Sequence, residues 1–203
     1  MPVQSGERPK TIWTPANVVT TIRAAFIPVW LIVVELAIPS GGAGLSASSL
    51  GAAIFYMLLA ATDKLDGYLA RSRNEVTTFG KFLDPIADKL VVVTALLYLL
   101  GCGLVPVWMV FIIITREFIV SGVRMVVASE GVVIAASNLG KYKTAFTMAA
   151  ISGYLIWLSL PADGFAAFLI VISDIAMYVA VFLTAWSGID YLVKSKDYLL
   201  KVD

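Results

Sequence analysis

Six apolar stretches follow one another along the chain, separated by short polar breaks. They cover roughly 16–38, 47–70, 81–100, 105–128, 142–161 and 165–190, and a membrane helix needs about 20 such residues. Turn signals close three of them: Pro39-Ser40-Gly41-Gly42 after the first, Gly101-Cys102-Gly103 after the third, and Pro161-Ala162-Asp163-Gly164 after the fifth. The pattern predicts an all-α integral membrane protein with six transmembrane helices over residues 15–193. Residues 1–14 form an N-terminal juxtamembrane segment and 194–203 a C-terminal tail. The N-terminus is polar up to Lys10 and lacks the short apolar stretch and small-residue cleavage site of a signal peptide. No repeat, low-complexity tract or soluble second domain is visible.

Composition agrees with the pattern. The 203 residues are 60% hydrophobic and 14% charged, against roughly a quarter charged in a soluble domain, and the mean hydropathy is +0.89. There is no histidine, which excludes His-based acid–base chemistry and His-ligated metals, and the single Cys102 excludes an internal disulfide or a Cys-rich zinc site.

The net charge of +1 says little, whereas its distribution sets a topology. Arg8, Lys10 and Arg23 lie at the first span. Lys64, Arg71, Arg73, Lys81 and Lys89 surround the connection between spans 2 and 3. Arg116, Arg124, Lys141 and Lys143 surround that between spans 4 and 5, and Lys194, Lys196 and Lys201 follow span 6. The other three turns hold no Lys or Arg. Under the positive-inside rule both termini and both basic connections are cytoplasmic, which an even number of spans permits.

Against this background the segment DKLDGYLARSRNEVTTFGKFLDPIAD, residues 63–88, stands out. Asp63 and Asp66 are i and i+3, Asp84 and Asp88 are i and i+4, so each pair shares a helix face. Both pairs fall near the cytoplasmic interface. Spans 2 and 3, joined by a short connection, are expected to pack antiparallel and bring the pairs together. Four clustered carboxylates must protonate or bind cations. Hard oxygens without Cys or His favour Mg²⁺, Mn²⁺ or Ca²⁺, and a pair of such ions roughly 4 Å apart suits phosphoryl transfer. Gly67 and Ala70 allow close approach, Arg71 has the reach to meet a phosphate, and Gly80 opens span 3. Asp174 and Asp190 lack a partner carboxylate at helical spacing and receive no role.

These residues resemble a known signature. Asp63-x-x-Asp66-Gly67-x-x-Ala70-Arg71, eight residues, Gly80, three residues, Asp84, three residues, Asp88 is similar to that of the CDP-alcohol phosphotransferases, at every defined position and gap. The resemblance implies a six-helix membrane enzyme, a homodimer, that cleaves a CDP-alcohol, releases CMP and passes the phosphatidyl group to an acceptor hydroxyl. It implies that Asp63, Asp66, Asp84 and Asp88 hold two divalent cations, Mg²⁺ or Mn²⁺. It further implies that Asp88 is the general base, and that Asp66, Gly67, Ala70, Arg71 and Gly80 bind the CDP moiety.

Arg116-Glu117-Phe118-Ile119-Val120-Ser121-Gly122-Val123-Arg124, Leu139-Gly140-Lys141-Tyr142-Lys143-Thr144 and Asn17-x-x-Thr20-x-x-Arg23 resemble the bacterial phosphatidylglycerophosphate synthase subgroup. One departure is that Ala16 separates Pro15 from Asn17, where the subgroup commonly has Pro-Asn. This narrower resemblance implies CDP-diacylglycerol as donor and sn-glycerol 3-phosphate as acceptor, in a bacterial inner membrane with the site facing the cytoplasm. Nothing implies a nucleic-acid partner; the partners are substrates and membrane lipids.

The basic residues fit an anionic acceptor independently. Arg116 and Arg124 are eight apart, so one broad helix face presents both. Lys141 and Lys143, two apart, do not share a face, and the expectation is that one reaches the site while the other meets lipid headgroups. Glu117 orients or neutralises one of the arginines. Sister enzymes that use serine, inositol phosphate or phosphatidylglycerol are the nearest alternatives, and serine fits such a cationic cluster poorly. A divalent-cation transporter would need polar residues continuing across the bilayer, yet Val91 to Leu100 and Leu50 to Ala61 are apolar. A scaffold with a structural metal would leave Arg71 and the basic cluster without a task.

Overall fold

The computed structural model describes residues 14–38, 47–73, 78–129, 138–161 and 163–199. Among them there are six helices and no strand: α1 Pro15–Ala37, α2 Ala47–Arg73, α3 Thr78–Gly101, α4 Val107–Ser129, α5 Asn138–Trp157 and α6 Gly164–Leu199. Residues 1–13, where the juxtamembrane segment was expected, lie outside the described residues.

Local chemistry sets the helix ends. Thr14 caps α1 by accepting the Asn17 N–H at 3.3 Å, with Pro15 in the first turn, where its missing N–H costs nothing. The inserted Ala16 thus belongs to a well-formed helix start. At the far end Ile38, the residue before Pro39, leaves helical geometry, as a residue preceding proline tends to do. After α3, Gly103 adopts φ +73°. The Leu104 N–H then reaches the Leu99 carbonyl at 3.1 Å and the Gly103 N–H reaches Leu100 at 3.0 Å. This Schellman pattern requires the left-handed residue that glycine supplies. Asp163 caps α6 through the Ala166 N–H at 2.8 Å.

Two ends depart from the hydropathy pattern. α5 stops at Trp157, and the chain tightens into turns before Pro161. α6 continues nine residues past the apolar limit at 190, to 36 residues in all, about 54 Å at 1.5 Å per residue. Its last turns carry Lys194 and Lys196, so they are helical by pattern without being apolar.

Contacts at several levels fix the helix directions. Phe26 meets Phe55 and Trp30 meets Tyr56, while the Trp30 indole N–H donates to the Ala52 carbonyl at 3.0 Å, so α1 and α2 are antiparallel. Arg23 pairs with Asp88 and Trp30 packs on Tyr98, so α1 and α3 run parallel. Trp108 meets Tyr178 on the α4–α6 contact, which is also parallel once the Arg116–Gly188 approach is included. α5 and α6 form the most extensive helix pair. A Cβ at Gly153 would fall 2.1 Å from Ser173 Oγ, the close backbone approach that small residues permit between membrane helices. At the next residue of each helix, the Tyr154 hydroxyl donates to Asp174 Oδ1 at 2.6 Å, which gives Asp174 a structural partner.

The interior is built from Trp30, Val34, Tyr56, Leu96, Leu99, Ile151 and Leu155. The outside is equally apolar: Leu36 is 80% exposed, Phe111 65% and Phe182 64%, within a far longer series of exposed large hydrophobics. A soluble monomer rarely exposes contiguous apolar surface on this scale; lipid is its natural solvent. By length and composition alone, α1 over Asn17–Ala37 and α6 over Gly164–Lys196 are apolar enough to cross a bilayer. The apolar run of α4 is interrupted by Arg116, Glu117 and Arg124.

Candidate functional site

The parallel pairing of α1 and α3 brings four polar side chains together. Thr20 Oγ1 donates to Asp84 Oδ1 at 2.7 Å, and Arg23 donates from Nη1 to Asp88 Oδ1 at 2.6 Å. Thr20 and Arg23 are one turn apart on α1, as Asp84 and Asp88 are on α3, so the two contacts repeat at successive turns. Arg23 is 1% exposed, whereas Asp88 is 42% exposed. The arginine is sealed in the bundle and its carboxylate partner opens outward. A buried guanidinium in an apolar helix needs such a counter-charge. Sequence reasoning noted Thr20 as part of a resemblance, and Arg23 there and among the basic residues of the first span, without giving either a partner. The overlooked signal was that an arginine within an apolar span needs a counter-charge.

Asp84 and Asp88 also line an open cavity of about 550 Å³ bordered by α3, α4, α5 and Tyr191 of α6. Arg116, Arg124, Lys141 and Lys143 line the same cavity. All four basic residues nominated from the sequence therefore meet the two α3 aspartates around one space. The sequence leads to the expectation that one of Lys141 and Lys143 reaches the site while the other meets lipid headgroups. Both line the cavity, with Lys143 buried and Lys141 exposed. Their backbone positions do point apart, but the cavity wraps around the start of α5 widely enough for two long side chains to border it.

Glu117 links the cations. Its Oε1 accepts from Lys143 Nζ of α5 and from Arg116 Nη1 of its own helix at 3.3 Å. The side chain of Arg116 is 14% exposed. Its stem lies against α6 where Gly188 leaves room, since a Cβ there would fall 2.9 Å from Arg116 Cγ. Arg124 places its guanidinium carbon 5.9 Å from the centre of the Tyr191 ring. Neither Gly188 nor Tyr191 was singled out from the sequence.

Gly80 is buried in the first turn of α3. Asp63, Asp66, Gly67, Ala70 and Arg71 belong to α2, and their side chains lie outside the described residues. Among the described residues no three potential metal ligands cluster. Asp84 and Asp88 are the described half of the expected set of four. The donors fit a hard divalent cation: they are carboxylates one turn apart, without sulfur or imidazole nearby. Each is oriented through one oxygen by a second residue, as metal-ligating carboxylates are.

Carboxylates and cations around one cavity at the charged end of an apolar bundle suit chemistry on a phosphate ester at a membrane surface. The chain belongs to the CDP-alcohol phosphatidyltransferase family, whose profile matches residues 13–186. It is 42% identical over 188 residues to the CDP-diacylglycerol–glycerol-3-phosphate 3-phosphatidyltransferase of Bacillus subtilis, covering 90% of this chain and 95% of that protein. It is 37% identical to a probable phosphatidylglycerophosphate synthase of Mycobacterium tuberculosis, covering 89% of this chain and 80% of the relative. A Haemophilus influenzae protein with the same name as the Bacillus one is 36% identical, covering 89% of this chain and 92% of its own length.

Proposed function

We propose that the protein transfers the phosphatidyl group of CDP-diacylglycerol to sn-glycerol 3-phosphate, giving phosphatidylglycerophosphate and CMP. The observation that carries this reading is the single cavity bordered by Asp84 and Asp88 on one side and Arg116, Arg124, Lys141 and Lys143 on the other. It offers a place for an anionic acceptor beside the carboxylates. The names of the relatives point to the same donor and acceptor.

The chemistry follows from the residues. The acceptor phosphate rests among Arg116, Arg124, Lys141 and Lys143, which directs its 1-hydroxyl toward α3. Asp88 takes the hydroxyl proton as the oxygen attacks the β-phosphorus. A P–O bond forms to the acceptor, the bond to the bridging oxygen breaks, and CMP leaves with that electron pair. Arg23 holds one oxygen of Asp88, and Thr20 fixes Asp84 in the same way. Gly67, Ala70, Arg71 and Gly80, with Asp66, form the CDP pocket. Asp63, Asp66, Asp84 and Asp88 would hold two divalent cations, Mg²⁺ or Mn²⁺, which when bound supply positive charge against the pyrophosphate.

In this reading residues 15–193 form the membrane catalytic unit and all six helices span the bilayer. The segments 1–14 and 194–203 both face the cytoplasm of a bacterium, as does the active site. The enzyme works as a homodimer. The charge asymmetry of the connections supports the orientation, and the exposed apolar exterior supports residence in lipid.

The test is CMP release by purified protein in detergent with CDP-diacylglycerol, Mg²⁺ or Mn²⁺, and one acceptor at a time. Release with glycerol 3-phosphate that EDTA abolishes is expected. Release only with serine, inositol phosphate or phosphatidylglycerol would keep the family and overturn the acceptor.

A further inference from the structure

Arg124 and Arg116 are eight residues apart on α4, a rise of about 12 Å. One phosphate meets both guanidinium groups only when the two side chains lean toward each other in set directions. An unsupported arginine on an exposed helix face samples many rotamers, and ordering it opposes binding. Arg124 is exposed, so the cavity wall alone does not restrain it.

The restraint comes from α6. Tyr191 is 6% exposed and lines the same cavity. Its ring sits under the Arg124 guanidinium at 5.9 Å, within the range of cation–π attraction. Its hydroxyl is buried without a hydrogen-bond partner. No hydrogen bond therefore accounts for the orientation of the side chain, and the ring face is what contacts a functional group. One turn earlier on the same face, Gly188 admits the stem of Arg116. Both residues lie in the C-terminal third of α6, so one helix supports both arginines of α4.

We infer that Tyr191 is a positioning residue for the acceptor site: its ring holds Arg124 over the cavity so that Arg116 and Arg124 act on one acceptor phosphate. This inference rests on the functional reading above. It acts on acceptor binding and leaves the handling of the nucleotide lipid untouched.

The experiment measures kcat, the KM for glycerol 3-phosphate and the KM for CDP-diacylglycerol in wild type, Tyr191→Leu and Tyr191→Phe. Tyr191→Leu is expected to raise the acceptor KM about fivefold to tenfold, with kcat and the donor KM within about twofold of wild type. Tyr191→Phe, which keeps the ring, is expected to behave as wild type. In an Arg124→Gln background Tyr191→Leu is expected to add nothing further. If Tyr191→Leu does not fold, Tyr191→Met takes its place with the same expectation. An unchanged acceptor KM in the ringless variant overturns the inference, and so does an equal loss in Tyr191→Phe, which would put the hydroxyl to work. Wild-type protein that releases no CMP with glycerol 3-phosphate overturns the functional reading and this inference with it. Wild-type turnover with an indifferent Tyr191→Leu overturns the inference alone.

Discussion

Arg23 on α1 and Asp88 on α3 form an ion pair of 2.6 Å in which the arginine is sealed and the carboxylate is open to the cavity. Removing Arg23 strips Asp88 of its counter-charge, and because Asp88 is 42% exposed the cost falls below the ~3–5 kcal/mol of breaking a fully buried pair. Arg23→Met is therefore expected to lower both the thermal midpoint in detergent and the turnover. Arg23→Lys keeps the charge and is expected to recover most of the stability but not the full rate, since a point charge holds Asp88 less rigidly than a guanidinium. Thermal unfolding alongside CMP release separates the two effects.

Thr20→Val tests the neighbouring contact. It keeps the side-chain shape and deletes the donor to Asp84 Oδ1. Loss of a residue that orients a metal-binding carboxylate typically costs about 10–100-fold in affinity or activity. The expected result is weaker Mn²⁺ binding, read by titration calorimetry, with turnover partly restored at high metal concentration. Undiminished metal affinity would count against the role assigned to Asp84.

Lys141 and Lys143 border one cavity in different states, and this predicts different outcomes. Lys143→Ala strips Glu117 of a buried partner and is expected to reduce stability as well as activity. Lys141→Ala removes an exposed side chain, and is expected to raise the KM for glycerol 3-phosphate while leaving the thermal midpoint within a degree or so.

Two glycines separate site from scaffold. Gly188→Ala places a Cβ 2.9 Å from Arg116 Cγ, which displaces the arginine stem and is expected to raise the acceptor KM with little change in stability. Gly153→Ala meets Ser173 Oγ at 2.1 Å on the α5–α6 contact. It is expected to destabilise the protein by about 1–3 kcal/mol, and Ser173→Ala in the same chain is expected to restore part of that loss.

Much of this arrangement is legible in the sequence, for identifiable reasons. Helix number follows from apolar length and from the Gly, Pro and Asp breaks, because lipid leaves few alternatives for the backbone. The nomination of Asp84, Asp88, Arg116, Arg124, Lys141 and Lys143 follows from the cost of charge in an apolar chain. Pairings between distant helices are harder to see. Thr20 with Asp84 and Arg23 with Asp88 are 64 and 65 residues apart, and only the parallel packing of α1 on α3 brings them together. Lys141 and Lys143 differ in burial, as their positions two apart on α5 imply, while both border the cavity. Tyr191 and Gly188 carry no charge, so the rule that flags costly residues passes over them.

The α1–α3 ion pair has a further consequence for how the protein is made. α1 leaves the ribosome well before Asp88 is synthesised, so Arg23 enters the translocon without its native counter-ion. A lone arginine in an inserted helix is penalised by about 2.5 kcal/mol or more at the centre. Its place in the first half of α1 lets it reach the headgroups until α3 arrives. Its Asp88 partner lies 65 residues further along, so α1 gains the ion pair only once α3 has been made, and the α1–α3 packing completes late in synthesis.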